Sequence, residues 1–93
     1  MNDKTVPFDI ASDVVWIPGD GEVRLYDARS GEFQTLNATE AEIWLLLSEG
    51  RGADEIGAEM VRRHAGDDAV RRRIVERDVH AFLASLQDRG LVV

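Results

Sequence analysis

The stretch GEFQTLNATEAEIWLLL, residues 31–47, sets a short strand directly before the start of a helix. Its first part, Glu32–Leu36, contains the aromatic and β-branched residue types that favour strands. Thr39 followed by Glu42 fits a capping box, in which the hydroxyl and the carboxylate bond to each other's backbone N–H groups. The residues that follow have helical spacing, so no later strand is available to pair with the far edge of this one.

Two further strands precede this stretch and make it the third strand of a meander. DVVWIP, residues 13–18, is β-branched and aromatic, and we expect its proline to end the strand. GDG, residues 19–21, is a turn, and EVRLYDA, residues 22–28, alternates apolar and polar residues as a half-buried strand does. RSG, residues 29–31, is a second hairpin loop. The short loops predict an antiparallel sheet with the third strand at one edge.

Three helices are predicted after the sheet, at about residues 39–49, 53–64 and 68–89. The first is apolar around most of its girth and should lie at the centre of the core. The third helix has a core face formed by Val75, Val79, Phe82, Leu83 and Leu86. A second, narrower apolar stripe runs beside it, formed by Val70, Ile74 and Ala81, with Asp78 between the two.

The order of elements predicts an α+β fold in which the helices pack on one face of a three-stranded antiparallel sheet. Such a fold is close to a winged helix-turn-helix with its wing moved to the N-terminus. Residues 1–12 are expected to form a flexible N-terminal arm, and residues 13–93 to form one domain. The apolar end, residues 90–93, should pack on the sheet or on the first helix.

Composition excludes several classes of function. The 93 residues include no cysteine, which excludes disulfides and thiolate metal sites and suits a reducing compartment, the cytoplasm. No apolar run is long enough to span a membrane. The net charge is −7, and all of the surplus lies in residues 1–49, whereas residues 50–93 carry eight arginines against eight acids. This balance disfavours nucleic acid and favours a cationic peptide or protein partner.

Catalytic chemistry is not visible in the sequence, and no cofactor or metal is expected. His64 and His80 have no second ligand at metal-binding spacing, so both are predicted to be surface residues. No nucleophile–base pair supports a small hydrolase. The arginines at 71–73 point in different directions on a helix and are interpreted as a solvated face. Trp44 is interpreted as a core anchor. Asp78 is either part of a site or a solvated residue paired with Arg71 or Arg77.

The remaining candidate for a functional site is the free edge of the third strand. An exposed antiparallel edge offers unpaired N–H and C=O groups to another chain, and Glu32–Leu36 lacks the lysine and proline that protect such edges. The pattern therefore indicates β-augmentation by a bound peptide. The alternatives are that a helix or the N-terminal arm covers this edge, or that the edge pairs with itself in a dimer.

Three stretches carry a resemblance to a known family: VVWIPGDGEVRLYDARSGEFQTLNATEAEIWLLL, GRGADEIGAEMV and VERDVHAFLASLQDRGLV. The resemblance is strongest at three features: the Leu36-Asn37 step before the helix, Trp44, and the ending from Asp78 to Leu91. The sequence resembles the PqqD family, the small recognition elements that bind leader peptides of ribosomally made, modified peptides. In that family the leader adds as a strand to the third strand, in a groove against the third helix. The resemblance implies a peptide-binding site formed by Glu32, Phe33, Gln34, Thr35, Leu36, Val70, Arg71, Ile74, Asp78, Ala81 and Phe82.

The resemblance also implies the partners. The acidic sheet and the arginine-rich, nearly lysine-free usage are similar to stand-alone recognition proteins of lasso-peptide pathways. Such a protein presents the precursor's leader to a separate leader peptidase and a cyclase. Lasso leaders usually carry a Tyr-x-x-Pro element, which would need an apolar pocket here. The alternatives are a PqqD proper, which serves a radical enzyme in quinone-cofactor synthesis, and, from another class, a winged-helix DNA-binding protein.

Overall fold

Three antiparallel strands in the order β1-β2-β3 form the sheet of this computed structural model, which describes residues 9–93. The strands are β1, Val14–Gly19, β2, Glu22–Asp27, and β3, Glu32–Leu36. The predicted meander is confirmed, with β3 at one edge. The prediction that Pro18 ends β1 is wrong, because the strand continues to Gly19. Pro18 stands opposite Val23 at a position where β1 forms no hydrogen bond to β2, so its missing N–H costs the ladder nothing.

The two hairpins are set by residues with positive φ. Asp20 and Gly21 have φ values of 51° and 76°, as a two-residue type I′ turn requires, and this turn matches the twist of the flanking strands. In the second hairpin, the N–H of Gly31 donates to the carbonyl of Asp27 at 2.7 Å, and Gly31 has a φ of 77°. These turns fix the register in which β3 lies beside β2.

The three helices are α1, Ala38–Ser48, α2, Ala53–His64, and α3, Ala69–Asp88. The capping box of α1 is formed by Asn37 and Glu40, so the predicted pair Thr39 and Glu42 is wrong. Asn37 has the extended backbone of an N-cap, its side chain accepts from the N–H of Glu40 at 2.9 Å, and the Glu40 carboxylate accepts from the N–H of Asn37 at 3.0 Å. The helix therefore begins closer to β3 than expected. Asp68 caps α3, and its side chain accepts from the N–H groups of Val70 and Arg71.

The core lies between the inner face of the sheet and the helices. Trp44 is fully buried and meets Trp16 edge to face, with ring centroids 6.1 Å apart. On α3, Val79 and Leu83 are buried as predicted, and Leu86 is buried with them. The other two residues of the predicted core face, Val75 and Phe82, are half-buried and pack against the core. The following residues complete the buried apolar cluster around Trp44: Val14, Val23, Leu25, Leu36, Ala41, Ile43, Leu46, Leu47, Ile56, Met60, Leu91 and Val92.

The two ends of the described chain lie side by side. The N–H of Asp9 donates to the carbonyl of Val93 at 3.1 Å, and the N–H of Val93 donates back at 2.7 Å. Ala11 donates to Leu91 at 2.9 Å. Of the predicted N-terminal arm, residues 1–12, residues 9–11 are hydrogen-bonded to the C-terminal segment, and residues 1–8 lie outside the described residues. Within residues 9–93, every helix is too short or too polar to cross a membrane.

Candidate functional site

The free edge of β3 presents its backbone groups at alternate residues. Ala28 donates to the carbonyl of Asp13 at 2.9 Å, and bonded pairs alternate along an antiparallel ladder. The even-numbered residues of β2 therefore bond to β1 and its odd-numbered residues bond to β3, where their partners are Glu32, Gln34 and Leu36. It follows that Phe33 and Thr35 direct their N–H and C=O groups away from the sheet. Within residues 9–93 neither residue's backbone has a hydrogen-bond partner.

One end of this edge is fastened to the C-terminus of α3. The Arg89 guanidinium donates to the side-chain oxygen of Gln34. The Arg29 guanidinium donates to the Arg89 carbonyl at 3.5 Å and lies 4.0 Å from the buried carboxylate of Asp27. Gly90 suits this position because it has a φ of 72°, a left-handed conformation that other residues rarely adopt. These contacts hold β3 and α3 at a fixed separation at this end.

A small pocket lies between the three helices, and no residue of β3 lines it. The chain passes from Leu36 into the start of α1, and there a cavity of about 190 Å³ opens between α1, α2 and α3. Its apolar lining comes from Ile43, Met60, Val75 and Val79, and its polar lining from Thr39, His64 and Asp78. The His64 ring nitrogen is hydrogen-bonded to the carboxylate of Glu42, a contact that holds α2 against α1. The arrangement suits an apolar side chain with one polar group.

The predicted residues of α3 occupy different places. Phe82 is half-buried against the core, whereas Arg71 and Ala81 are exposed. Val70 and Ile74 are exposed and share a shallow depression of about 330 Å³ with Ala69, Arg73 and Arg77. No residue of β3 lines that depression. The structure thus brings Val70 and Ile74 together, but it places them on α3 beyond the end of the β3 edge.

Asp78 is well hydrated. Its side chain is 67% exposed and lies 3.9 Å from Arg77, whereas the side chain of Glu22 is 38% exposed. Asp78 is therefore more hydrated than Glu22. Asp78 is a solvated residue at the rim of the pocket. The reason is that α3 turns this position toward solvent, one residue before the buried Val79.

Sequence reasoning missed three contributors to this region. Arg89 reaches β3 through its side chain, and Arg29 reaches α3 from a loop, and neither contact has a signal in the local pattern. The pocket residue Met60 belongs to α2, a helix from which the sequence predicts no site residue. His64 and His80 are both exposed, as predicted.

Comparisons with known proteins identify the family and the fold. The family described as Coenzyme PQQ synthesis protein D (PqqD) matches residues 22–92. Two solved structures share the fold. TbiB1 in complex with the TbiA(beta) leader peptide is 33% identical with a TM-score of 0.79, over 90% of this chain and 93% of that chain. Lasso peptide synthetase B1 complexed with the leader peptide is 28% identical with a TM-score of 0.75, over 92% of this chain and 96% of that one.

No curated protein matches this chain. The family match nevertheless includes two of the three strands and all three helices, and both solved structures share nearly the whole fold. The α+β architecture predicted from the sequence is confirmed by the same structures. This chain belongs to the PqqD family.

Proposed function

We propose that this protein is a non-catalytic adaptor that binds the leader of a ribosomally made precursor peptide. The leader adds as a strand to β3, and the adaptor presents it to a lasso-type leader peptidase and cyclase. The observation that carries the proposal is the edge of β3, where Phe33 and Thr35 offer outward N–H and C=O groups that no described residue engages. A strand that lies there gains backbone hydrogen bonds without displacing any part of residues 9–93.

The leader peptide is proposed as the ligand because of the two similar solved structures. Both are complexes with leader peptides, and they share 33% and 28% identity with this chain. They favour the lasso-type assignment over a PqqD proper that serves quinone-cofactor synthesis. The pocket lined by Ile43, Met60 and Val75 offers an apolar cavity between the helices. A Tyr-x-x-Pro element of a leader would place a ring there, with Thr39 and His64 as polar partners.

The proposed site has a strand part and a helix part. The strand part is Glu32–Leu36. Phe33 and Thr35 supply its outward backbone groups, and Leu36 is buried and anchors the strand in the core. The helix part comprises Val70, Arg71, Ile74, Asp78, Ala81 and Phe82, of which Phe82 packs against the core. A leader longer than β3 would pass the pocket and reach the exposed Val70 and Ile74.

Amide exchange with the leader peptide of the precursor encoded in the same gene cluster tests the proposal. We expect the amides of Phe33 and Thr35 to exchange rapidly in the free protein and to gain protection on binding. The amide of Gln34 is the internal control, because it already faces β2 and should be protected in both states. Equal exchange of Phe33 and Thr35 with and without saturating leader would show that the leader does not add to this edge.

A winged-helix DNA-binding function is the candidate from another class. The exposed arginines of α3 are the observation in its favour, and the surplus of acids in residues 1–49 weighs against it. A titration with arbitrary duplex DNA at low salt separates the two functions. Tight and salt-sensitive binding to DNA, together with no binding of the leader, would support this second candidate.

A further inference from the structure

The N-terminal half of α3 exposes apolar side chains between arginines. Val70 and Ile74 are 71% and 44% exposed, and because they stand four residues apart they lie on the same side of the helix. They line the depression of about 330 Å³ together with Ala69, Arg73 and Arg77. Within residues 9–93, α3 alone provides this lining. We call these five residues the α3 depression.

The arginines of the α3 depression are available to a ligand, whereas those at the other end of the helix are engaged. Arg89 donates to the side chain of Gln34, and Arg29 donates to the carbonyl of Arg89. Within the described part of the chain, the guanidinium of Arg73 forms no ion pair. Arg77 is 3.9 Å from the carboxylate of the next residue, which is itself mostly exposed. Such an exposed pair contributes little and is readily exchanged for another carboxylate.

The lining of the α3 depression favours a ligand that is apolar and carries a carboxylate. Two guanidinium groups and three apolar residues form the lining, and no acidic residue belongs to it. A guanidinium binds a carboxylate through two parallel hydrogen bonds, and its aliphatic stem packs on apolar groups. The sheet half of the chain has the opposite character, because the surplus of acids lies in residues 1–49. The two regions therefore attract ligand groups of opposite charge.

Two contacts define the course of α3 relative to β3. The C-terminal end of α3 meets β3 where Arg89 donates to Gln34. Its middle meets the start of α1, where Asp78 lines the pocket together with Thr39, three residues after β3 ends. The α3 depression begins one helical turn further along, about 6 Å beyond Asp78. It therefore lies on the side of the edge where β3 ends at Leu36.

Backbone hydrogen bonds to β3 do not decide in which direction the leader runs. Phe33 and Thr35 offer N–H and C=O groups that either a parallel or an antiparallel strand can use. The two ends of the edge differ, however, in the arginines near them. Those near Gln34 are engaged within the chain, and those of the α3 depression are not. A leader with a carboxylate on one side of its strand segment is therefore bound more tightly in one direction than in the other.

We propose that the α3 depression binds an apolar, carboxylate-bearing stretch of the leader, and that Arg73 and Arg77 thereby fix the direction of the leader strand on β3. This inference rests on the proposed function, because it takes the leader strand on β3 as given. The matching leader has its carboxylates on the side of the strand segment that passes Leu36, and its cationic residues beside the acidic sheet. Arg73 and Arg77 are then specificity-determining residues, which reject a leader with the reverse order of charges.

The test compares two neighbouring arginines. Arg73→Glu reverses a charge in the α3 depression, and the matched control Arg72→Glu makes the same change at an exposed arginine outside it. The probe is the leader peptide of the precursor encoded in the same gene cluster, amidated so that it has no terminal carboxylate. Each Asp or Glu of the leader is replaced in turn by Asn or Gln. Affinity is measured by fluorescence anisotropy, and circular dichroism checks the fold of each variant.

We expect Arg73→Glu to lower leader affinity at least tenfold and Arg72→Glu to lower it less than threefold. Arg77→Gln, which only neutralises a charge, should lower it about threefold. Removal of the leader carboxylate that contacts Arg73 should weaken binding to the wild-type protein but not to Arg73→Glu, as a double-mutant cycle reports. A lysine in place of that carboxylate should restore affinity for Arg73→Glu. The carboxylates that couple to Arg73 should all lie on one side of the leader's strand segment.

Two results would overturn the proposal while leaving the proposed function in place. Equal affinities of Arg73→Glu and Arg72→Glu would show that the leader does not use the α3 depression. Coupling of Arg73 to carboxylates on both sides of the strand segment would show that the arginines do not fix the direction. In both cases the amides of Phe33 and Thr35 would still gain protection in saturating leader. A wild-type protein that shows no such protection would remove the proposed function itself, and this proposal with it.

Discussion

The sheet has two edges, and only one of them is protected. Along β1 the residues whose backbone faces outward are Val14, Trp16 and Pro18, by the same alternation that exposes Phe33 and Thr35 on β3. Val14 donates to Ala11 at 3.0 Å, and Pro18 has no N–H to offer. Trp16 is left as the one outward donor of β1 that no described residue engages, and its side chain is half-buried against Trp44.

The edge of β3 has none of these protections. Its outward residues Phe33 and Thr35 both keep their N–H groups, and the strand holds neither proline nor lysine. An unprotected edge in a small sheet therefore indicates a binding site for an added strand more strongly when the other edge of the same sheet is protected. The protection of β1 would confine strand addition to β3, which Arg89 links to the C-terminal end of α3.

The largest expected effect distinguishes a buried residue of α3 from an exposed residue of the same helix. Val79 is buried, so Val79→Asp would bury a carboxylate without a partner and should unfold the domain. Ile74 is 44% exposed on α3, so Ile74→Asp should leave the fold intact and abolish leader binding. Circular dichroism and a leader titration on both variants make the measurement. If both variants unfold alike, Ile74 is ordinary core and the helix part of the site is wrong.

Proline substitutions test the edge of β3 directly. Thr35→Pro removes an outward N–H and breaks no bond to β2, so we expect leader affinity to fall at least tenfold, about 1.4 kcal/mol, with little loss of stability. Gln34→Pro removes a donor that faces β2 and should lower the melting temperature instead. Affinity and thermal melts are measured for both. An unchanged affinity in a folded Thr35→Pro variant would contradict strand addition at β3.

The reverse experiment restores a donor to the protected edge. Pro18→Thr gives β1 an outward N–H and introduces a β-branched residue type that strands favour. Because α3 is fastened to the opposite edge of the sheet, we expect leader affinity to change by less than twofold. The same titration makes the measurement, with Thr35→Pro as the reference for a full effect. A clear gain in affinity would show that the leader can use β1 and that the two edges are equivalent.

The smallest expected effect concerns charge. A leader that docks on this acidic half should carry Lys or Arg near its docking segment, and rim charges chiefly speed association. Because Asp78 and Glu22 are both solvated, Asp78→Asn and Glu22→Gln should each lower affinity by less than about threefold, mainly through the on-rate. Stopped-flow binding across a salt series measures this. A response that does not change between low and high salt would remove electrostatics from recognition.

The sequence predicted the strands, the helices and the free edge because each depends on local patterns. Alternation in β2, glycines in the turns and the apolar spacing of α3 all have short-range signals. The start of α1 was misplaced because Asn37 with Glu40 and Thr39 with Glu42 have the same spacing, and local chemistry does not separate them. The structure selects the earlier pair, since Asn37 has the extended backbone of an N-cap.

Features that join distant parts of the chain left no such signal. The pairing of residues 9–11 with the C-terminal segment and the contact of Arg89 with Gln34 arise only when the fold is complete. The exposure of Val15 and Ile17 was also missed, although β1 alternates between Val14 and Trp16 on one side and Val15 and Ile17 on the other. In a run that is apolar throughout, the pattern cannot say which set faces the helices.

Asp9 and Val93 lie side by side, so the order of the elements along the chain can be changed by circular permutation. A short glycine-rich linker can join these two residues, and the chain can be reopened at Gly66, an exposed turn residue between α2 and α3. Such a circular permutant keeps the sheet and the pocket between the helices unbroken. It would move the attachment point of a fused enzyme from the corner of the sheet to the turn before α3. A set of fusions at the two sites would then report how far from the bound leader an enzyme can be tethered and still act on it.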